Sequence, residues 1–388
     1  MPAQTAVLFA PNGGHALEQG GAAYVTLLMA NILAKGGYSV EVCAVHGLPR
    51  NELEALHGVK INNRVRLRYV EDWSSRRISF PPFLPSRILA SAVRQWFGGR
   101  KVGVAIFGDD APARVAAFFK AKGAFVVDYA HLPLRVRGRF PRVGYWAYEG
   151  RFGLPAALLY WNTQFSGLDE YDLTLANSRV TAGLVRPLGA SKVSVLHPPA
   201  RTVSDQRYAK EPIVLHAAQY GRGFNSELAV MMLKEAAKNR LPVKWVFMRS
   251  NDLPSRLREL AKRLPNVWLL GSVSNEAYRA LLGRSVALLN LRFLEPFGIS
   301  TVDAMSAGAV PIILKSRYNG SWIDICDEGR FGIGCETSSE ICASLERLLT
   351  DDEVANSSAT TARQRSQLFS LANFTDAFRE VMARHLSS

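Results

Sequence analysis

Two acidic residues, Glu295 and Asp303, follow an apolar segment at a spacing that could place both side chains beside one ligand. The segment at 286–291 is almost wholly apolar, which is typical of a buried parallel strand. Gly298 permits a tight backbone after the strand, and Ser300 stands where it can cap a short helix. In open α/β sheets, ligands bind outside the carboxyl ends of the strands. The spacing therefore predicts a ligand site, with Glu295 in a strand-to-helix loop and Asp303 on the first helical turn.

The start of this helix has a second chemical property. Its free backbone N–H groups and the positive end of its dipole would suit a phosphate group. A purely structural interpretation is also open, because Ser300 and Asp303 have the spacing of a capping box, in which Asp303 would only tie down the helix. The spacing alone does not choose between the two interpretations.

The amino-terminal segment predicts an element that would face such a site. Residues 5–10 and 40–45 are strand candidates, and between them Gly20 and Gly21 open a segment whose apolar residues recur at helical spacing. Strand, glycine-rich loop, helix and strand in this order form a Rossmann-like unit. The pattern Gly-x-Gly-x-x-Gly is absent, which argues against a dinucleotide cofactor.

Three further candidates follow predicted buried strands. His131 ends the apolar segment at 124–131, and Arg222 and Arg249 follow segments that open a second domain. Arginine offers a forked set of donors that suits phosphate oxygens. A lone histidine is more often a structural residue, and either arginine could be a surface group, so structural interpretations of all three stay open. The acidic pair at 109–110 is predicted to cap the next helix and not to bind a metal.

The composition fits a globular two-domain protein. The chain has 388 residues, of which 48% are hydrophobic and 21% charged, enough for two cores and too apolar for a disordered chain. No apolar stretch approaches the roughly 18 residues of a spanning helix. The first residues lack the basic-then-apolar form of a signal peptide, and the four cysteines have no metal-binding spacing. We therefore expect a cytoplasmic protein with free thiols and no metal.

The positive charge is concentrated in one region. The chain has a net charge of +14, and residues 60–142 hold 17 Lys or Arg against five Asp or Glu. Basic and aromatic residues are interleaved over 76–165, which favours peripheral association with an anionic membrane surface. Single-stranded nucleic acid is a second type of partner for such a region, but no nucleic-acid-binding motif accompanies it. A solvated basic surface is the structural alternative.

A helix predicted from Ser86 onward, within this region, has one apolar and one polar face. Its apolar face carries Ile88, Leu89, Ala92, Val93, Trp96 and Phe97. This arrangement is typical of a helix that lies in the plane of a membrane. It is equally typical of a helix that covers a sheet, and the sequence leaves both interpretations open.

Residues 295–311, with the sequence EPFGISTVDAMSAGAVP, resemble the signature of glycosyltransferase family 4. In that signature two acids are separated by seven residues, and Asp303 stands where the family usually has Glu. His131, with the Leu-Pro that follows it, is similar to the family's His-x-Pro segment, and Pro198 and Pro199 resemble the pair before its interdomain linker. The resemblance extends over essentially the whole chain.

This resemblance implies an α/β protein of the GT-B fold, in which two Rossmann-like domains face a cleft. It places an acceptor-binding domain at 1–200 and a nucleotide-sugar-binding domain at 212–370. The last segment, 371–388, would form a helix that crosses back and packs on the first domain.

The resemblance also implies an activity and roles for the candidate residues. The activity would be the transfer of a sugar from a nucleotide-sugar with retention of configuration and without a metal. Glu295 would hold donor sugar hydroxyls, Asp303 would accept hydrogen bonds from the ribose, and His131 would orient the sugar or the acceptor. The rest of the donor site would comprise Gly20, Gly21, Arg222, Arg249, Phe297, Gly298 and Ile299. The lysine that usually follows Arg222 in the family is absent, and Arg249 is the candidate to replace it.

Within family 4, the sequence looks most similar to mannosyltransferases of lipid-linked oligosaccharide assembly. That resemblance implies GDP-mannose as the donor and a lipid-linked or glycan acceptor at the cytosolic membrane face. Two other functions stay open. A GT-B sugar-nucleotide epimerase would need neither an acceptor nor a membrane, and a basic nucleic-acid-binding module would ignore nucleotide-sugars and bind nucleic acid with a steep salt dependence.

Overall fold

The computed structural model describes residues 4–11, 17, 20–70, 84–109, 111–132, 167–201, 208–217, 220 and 223–386, with the backbone alone at 84–88. Within these ranges, thirteen strands form two sheets in which all neighbouring strands are parallel. The predicted α/β class and the pair of Rossmann-like sheets are therefore confirmed.

The first sheet has seven strands in the order β3-β2-β1-β4-β5-β6-β7. The chain builds the sheet in one direction from β1 to β3 and in the other direction from β4 onward, which creates a switch point between β1 and β4. The strands are β1 Thr5–Phe9, β2 Ser39–Ala44, β3 Val65–Tyr69, β4 Val104–Phe107, β5 Phe125–Ala130, β6 Leu173–Ala176 and β7 Val193–Val195.

The second sheet has six strands in the order β10-β9-β8-β11-β12-β13, with the equivalent switch point between β8 and β11. Its strands are β8 Glu211–His216, β9 Lys244–Phe247, β10 Val267–Leu269, β11 Ser285–Asn290, β12 Val310–Leu314 and β13 Ile333–Cys335. The segment predicted as a buried strand at 286–291 is therefore the central strand β11.

Helices connect the strands and cover both sheets. The α-helices are Gly20–Lys35, Arg50–His57, Leu84–Phe97, Ala113–Ala121, Arg179–Val185, Ser226–Lys238, Ser255–Lys262, Asn275–Arg284, Ile299–Ser306, Ser338–Thr350, Asp352–Ser366 and Leu371–Leu386. Short 3-10 turns lie at Leu168–Glu170, Arg186–Leu188, Ser250–Asp252, Asp327–Gly329 and Gln367–Phe369, and one π-helical turn at Ser321–Ile325.

Strand β1 shows how the first sheet is buried on both faces. Ala6 and Leu8 pack in the apolar cluster on one face, whereas Val7 and Phe9 pack in the cluster on the other. All four side chains are fully buried. A strand covered on both sides has no polar face, which explains why the sequence after Thr5 is apolar.

The helix Leu371–Leu386 crosses back to the first sheet, as predicted. Phe374, Phe378 and Met382 are buried in the same cluster as Ala6 and Leu8 of β1. Their spacing of four residues places them on one face of the helix. The helix thus ties the end of the chain to its beginning.

The helix Leu84–Phe97 covers the first sheet and does not offer its apolar face to a membrane. Leu89, Val93 and Phe97 are fully buried in the core cluster that also contains Phe9. The interpretation of this helix as an in-plane membrane helix is therefore wrong for these residues, because the face that would enter the lipid is already occupied by the sheet. No helix in the described ranges is long and apolar enough to cross a bilayer.

Candidate active site

The loops at the switch points of both sheets carry most of the predicted site residues. β1 and β4 lead to the glycine loop and to Asp109, β5 ends one residue before His131, and β11 leads to Glu295. Ligands of doubly wound sheets bind at such points, where neighbouring loops run in opposite directions and leave a crevice. The two sheets therefore each contribute one crevice to a shared candidate site.

Glu295 is held by both its backbone and its side chain. Its N–H donates to the Tyr318 carbonyl at 3.1 Å, and its own carbonyl accepts the Gly320 N–H at 2.7 Å. Its carboxylate Oε2 lies 3.2 Å from Arg292 Nε in an ion pair, and only 14% of the side chain is exposed. A loop carboxylate fixed at three points is preorganised, as a group that orients a ligand must be.

Arg292 is a cation beside Glu295 that the sequence motifs do not reveal. It is buried, and its Nε also donates to the Leu294 carbonyl at 3.2 Å. Its backbone carbonyl accepts a hydrogen bond from Asn319 Nδ2 at 2.7 Å. The signal that could have found Arg292 is its position two residues after the central strand β11, at the switch point.

A buried aromatic cluster stands next to Arg292 at the end of β8. His216 stacks on Tyr220 with ring centroids 5.0 Å apart and meets Phe224 edge-on at 5.1 Å. Burial, with a further contribution from the charge of Arg292, lowers the pKa of His216 to about 3, so its imidazole is neutral at physiological pH. Phe224 pairs with Arg292 in an antiparallel bridge. The cluster therefore fixes the loop after β8 against the loop that carries Glu295.

The helix Ile299–Ser306 starts differently from the prediction. Gly298 precedes it with a φ of +98°, in the left-handed region that favours glycine, and a Cβ there would lie 2.0 Å from Ser321 Oγ. No side chain caps the helix. The prediction that Ser300 is the cap is wrong, because the helix already begins at Ile299 and Ser300 lies inside its first turn.

Two helix amino termini meet across the cleft between the sheets. A Cβ on Gly21 would lie 2.5 Å from Cδ1 of Ile299, so the missing side chain lets the two helices approach. Gly20, which starts the first helix, has a φ of +82°. Neither helix has an acidic residue in its first turn. The positive ends of two helix dipoles therefore converge at one place, which would suit a diphosphate.

Asp303 is buried beneath the linker between the sheets. Its carboxylate accepts the Arg201 N–H at 2.7 Å and the Tyr278 hydroxyl at 3.3 Å, and the residue is 1% exposed. Asp303 lies in the second turn of its helix, not in the first. The capping-box interpretation is therefore excluded, because the carboxylate bonds to the linker and to a neighbouring helix. Binding of the ribose by Asp303 stays a prediction.

The environment of Asp303 predicts a pH dependence of stability that the isosteric variant Asp303→Asn should lack. Burial raises the pKa of Asp303 from 3.8 to about 7, partly offset by the nearby charge of Arg201. The folded state therefore holds the proton more tightly than the unfolded chain. The resulting stabilisation is complete below the unfolded pKa and is lost as the pH rises through the folded pKa.

Urea unfolding between about pH 4 and pH 8 measures this effect. We expect the free energy of unfolding to decline with rising pH by up to a few kcal/mol more in the wild type than in Asp303→Asn. Parallel pH profiles of the two proteins would contradict the protonation of Asp303 in the folded state.

His131 is fixed by its backbone at the edge of the first sheet. Its N–H donates to Asp109 Oδ1 at 2.6 Å, and the Leu132 N–H donates to the same carboxylate at 3.1 Å. The His131 carbonyl accepts a hydrogen bond from Thr181 Oγ1 at 3.2 Å. The imidazole meets the Tyr129 ring edge-on at 4.7 Å. The backbone of the candidate histidine is therefore anchored from two neighbouring loops.

Asp109 does not cap the next helix, contrary to the prediction. The helix Ala113–Ala121 begins after Pro112 and has no side-chain cap. Asp109 is buried and has a φ of +63°, a left-handed conformation that is uncommon for a residue with a side chain. The carboxylate is turned to the neighbouring strand β5, where it binds the turn that contains His131.

Of the two arginines predicted to bind phosphate, only Arg249 is among the described residues. Arg222 lies outside the described residues. Gly223, which follows it, has a φ of +83° and packs closely on Leu294, where an added Cβ would meet Leu294 Cβ at 2.9 Å. Arg249 follows β9 and forms an ion pair with Asp252, with Nη2 and Oδ2 3.3 Å apart. Binding of phosphate by either arginine stays a prediction.

Phe297 is buried, so only its backbone can face a donor. Its ring stacks on His197 and meets Phe369 edge-on, both at centroid distances of 5.5 Å. Among the described residues, no three His, Cys, Asp or Glu side chains are grouped so as to hold a metal ion. The four cysteines are buried free thiols.

Solved structures of glycosyltransferases resemble this chain along nearly its whole length. Sucrose-phosphate synthase from Thermosynechococcus elongatus gives a TM-score of 0.72 at 14% identity and covers 99% of both chains. HepE of Anabaena in complex with UDP and glucose gives 0.67 at 14% identity and covers 98% of this chain and 99% of its own. WaaG, a glycosyltransferase involved in lipopolysaccharide biosynthesis, gives 0.67 at 14% identity, with coverages of 97% and 99%. The chain has the GT-B fold.

The expected GT-B arrangement is thereby confirmed. No protein-family model matches the sequence, and no curated protein matches it either. At 14% identity the structural likeness establishes the GT-B fold and not the activity.

Proposed function

We propose that this protein is a glycosyltransferase that binds a nucleotide-sugar in the cleft of its GT-B fold. The observation that carries the proposal is the meeting of two helix starts, at Gly21 and Ile299. Ile299 directly follows the loop that holds the anchored carboxylate of Glu295. The structural neighbours support it, because they are glycosyltransferases and HepE was solved with UDP-glucose bound.

The proposed reaction needs a place for the departing diphosphate. Transfer breaks the bond between the sugar carbon and a diphosphate oxygen, so negative charge grows on the diphosphate and positive charge on the sugar. Preorganised N–H donors and dipoles aimed at developing charge lower the barrier. The helix starts at Gly20 and Ile299 would supply them, and Arg222 with Arg249 would add cations.

The acidic and imidazole groups are proposed to act on the sugar. Glu295 would hold hydroxyls of the donor sugar, while Arg292 keeps its carboxylate in place. His131, anchored through its backbone, would orient the sugar or the acceptor. Closure of the two domains would exclude water, which otherwise hydrolyses the donor. Transfer is proposed to retain the anomeric configuration, and we assign no covalent nucleophile.

The identity of the donor rests on the sequence resemblance. That resemblance supports transfer of mannose from GDP-mannose to a lipid-linked or glycan acceptor. A UDP-sugar is the second candidate, favoured by the complexes of HepE with UDP and with UDP-glucose. The loop 295–299 would serve either donor, since it is proposed to contact the sugar and the diphosphate and not the base.

The acceptor proposal places the protein at the cytosolic face of a membrane. Its support is the basic and aromatic region 76–165, of which 76–83 and 133–165 lie outside the described residues. Because the helix Leu84–Phe97 buries its apolar face, the proposed membrane contact falls on the rest of the region. There, Arg135, Arg137 and Arg139 precede a run of aromatic residues.

A thermal-shift screen of the purified protein against GDP, UDP, ADP and their sugars tests the proposed donor site. We expect one family of nucleotides to raise the unfolding temperature, because a ligand that binds only the folded state stabilises it by about 2.7 kcal/mol at 100 times its dissociation constant. A shift with GDP and GDP-mannose would support the mannosyltransferase. A shift with UDP compounds would support a glycosyltransferase whose donor is a UDP-sugar and not GDP-mannose.

Nucleic acid serves as the control ligand in this screen. The absence of a shift with every nucleotide, together with salt-dependent binding of single-stranded nucleic acid, would contradict the proposed function. That outcome would favour the binding module.

A further inference from the structure

A carboxylate of the second sheet's domain is inserted into the first. Asp324 lies on the π-helical turn Ser321–Ile325, and its side chain has no exposed surface. Its Oδ1 accepts the backbone N–H of Arg179 at 2.8 Å and the Nε2–H of His197 at 2.9 Å, and lies 3.4 Å from Arg179 Nε. Arg179 follows β6 and His197 follows β7. We call these three residues the clasp.

On its own side, Asp324 is joined to the loop of Glu295. Ser321, at the start of the same turn, donates from Oγ to the Phe297 carbonyl at 3.0 Å. The preceding Gly320 N–H donates to the Glu295 carbonyl at 2.7 Å. Because one continuous turn makes all these bonds, the position of Asp324 fixes the position of the Glu295 loop.

On the other side, the clasp is joined to His131. Arg179 is the first residue of the helix Arg179–Val185, whose amino-terminal cap is Ser178. Thr181, in the first turn of this helix, is buried and donates from Oγ1 to the His131 carbonyl at 3.2 Å. The same short helix therefore contacts both the carboxylate of the second domain and the candidate histidine.

The burial of Asp324 depends on the arrangement of the two domains. A buried carboxylate is costly unless charged groups and hydrogen bonds compensate for its lost hydration. Here the compensation comes from Arg179 and His197, and Oδ2 has no hydrogen-bond partner within the described ranges. If the domains moved apart, Asp324 would lose both partners and regain water. The clasp therefore favours the arrangement in which Gly21 meets Ile299.

We propose that Asp324 is a positioning residue that sets the place of His131 relative to Glu295 when the domains close. This inference rests on the proposed function of the cleft and adds to it a residue that acts through others. Its first test needs no ligand, so that it can be judged even if the donor is wrong.

Asp324→Asn in the full chain tests the clasp, because asparagine keeps an acceptor for the Arg179 N–H and removes the charge. We expect faster hydrogen–deuterium exchange in the segments 125–132 and 177–185, and a larger radius of gyration in solution scattering. Exchange in β1, which the clasp does not contact, should stay unchanged. If Asp324 had only a local structural role, hydrogen–deuterium exchange would become faster only in the turn around Asp324.

Asp327→Asn is the matched control. Asp327 also pairs with Arg179, at 3.6 Å, but its side chain is 37% exposed, and exposed ion pairs contribute little. Its φ of +49° suits asparagine. This variant should match the wild type in exchange and scattering. If Asp324→Asn matches it too, the inference is overturned.

A second variant keeps the test usable if Asp324→Asn does not fold. His197→Gln removes the imidazole from the clasp at a side chain that is 34% exposed, so the cost to folding is smaller. We expect the same two segments to exchange faster. Unchanged exchange there would also overturn the inference.

Activity measurements distinguish a failure of the inference about the clasp from a failure of the proposed donor site. With the nucleotide-sugar found in the screen, Asp324→Asn should lower kcat about 10- to 100-fold, as a misplacement of about 1 Å can. It should also weaken binding of the nucleoside diphosphate, because the clasp favours the meeting of Gly21 and Ile299. A wild type that binds no nucleotide would reject the proposed function, whereas equal kcat values in wild type and variant would reject the clasp.

Discussion

Glu295→Gln is expected to lower the kcat of sugar transfer by at least about 100-fold, since removing one preorganised polar contact to a reacting group typically costs 10²–10³ in kcat. Glutamine keeps the volume of the side chain and one acceptor oxygen. It removes the charge that pairs with Arg292 at 3.2 Å. Initial rates with the donor identified by the nucleotide screen measure the effect.

The stability of Glu295→Gln has to be followed in parallel. Arg292 is buried, and the loss of a charged partner should reduce the free energy of unfolding by about 1–3 kcal/mol. Circular dichroism and urea unfolding show whether the fold is intact under assay conditions. Glu336→Gln is the matched control, because its ion pair with Lys315 is exposed. Sugar transfer at a near-normal rate by Glu295→Gln would show that Glu295 does not act in the active site.

Gly320→Ala is expected to damage both the stability and the activity of the protein. A Cβ at this position would lie 2.3 Å from the Pro296 carbonyl oxygen and 2.8 Å from Phe297 Cα, both of which are backbone atoms. The φ of Gly320 is −63°, which any residue adopts, so the effect is purely steric. The loop at 295–297 must move away, and Glu295 must move with it. Overpacking of this kind costs about 1–3 kcal/mol.

Urea unfolding and transfer rates of Gly320→Ala measure the two losses. Gly99→Ala is the control, since a Cβ on Gly99 would meet nothing within 4 Å. We expect this control to change the free energy of unfolding by less than about 0.5 kcal/mol. If Gly320→Ala behaves like Gly99→Ala, the loop of Glu295 does not depend on its contact with residue 320.

The fold was predictable because buried parallel strands carry an unusually clear pattern. The segments at 5–10 and 286–291 are almost wholly apolar, since both faces of each sheet are covered. Gly20 and Gly298, which precede or start the two helices of the site, both have positive φ. Such positions favour glycine for a local reason, so the sequence reveals them.

Site residues could be predicted only where their role depends on residues that are close in the sequence. Arg292 and Asp324 look ordinary in the sequence, because their roles come from contacts made when the chain folds. Arg179, for example, is 145 residues from Asp324 in the sequence. The amphipathic pattern of 84–97 had two physical solutions, since a sheet and a membrane surface both bury one face of a helix. The cap predicted at Ser300 failed by two residues, because the helix is preceded by Gly298, and this is within the usual uncertainty of helix ends.

Sugar transfer itself is measured most directly by mass spectrometry of the purified protein incubated with its nucleotide-sugar and a membrane lipid extract. We expect a lipid-linked or glycan product heavier by one sugar residue and an equal amount of nucleoside diphosphate, with both formed at least about 100-fold more slowly by Glu295→Gln. Recovery of the nucleotide-sugar unchanged, or its conversion to an epimer with no heavier acceptor, would contradict a glycosyltransferase.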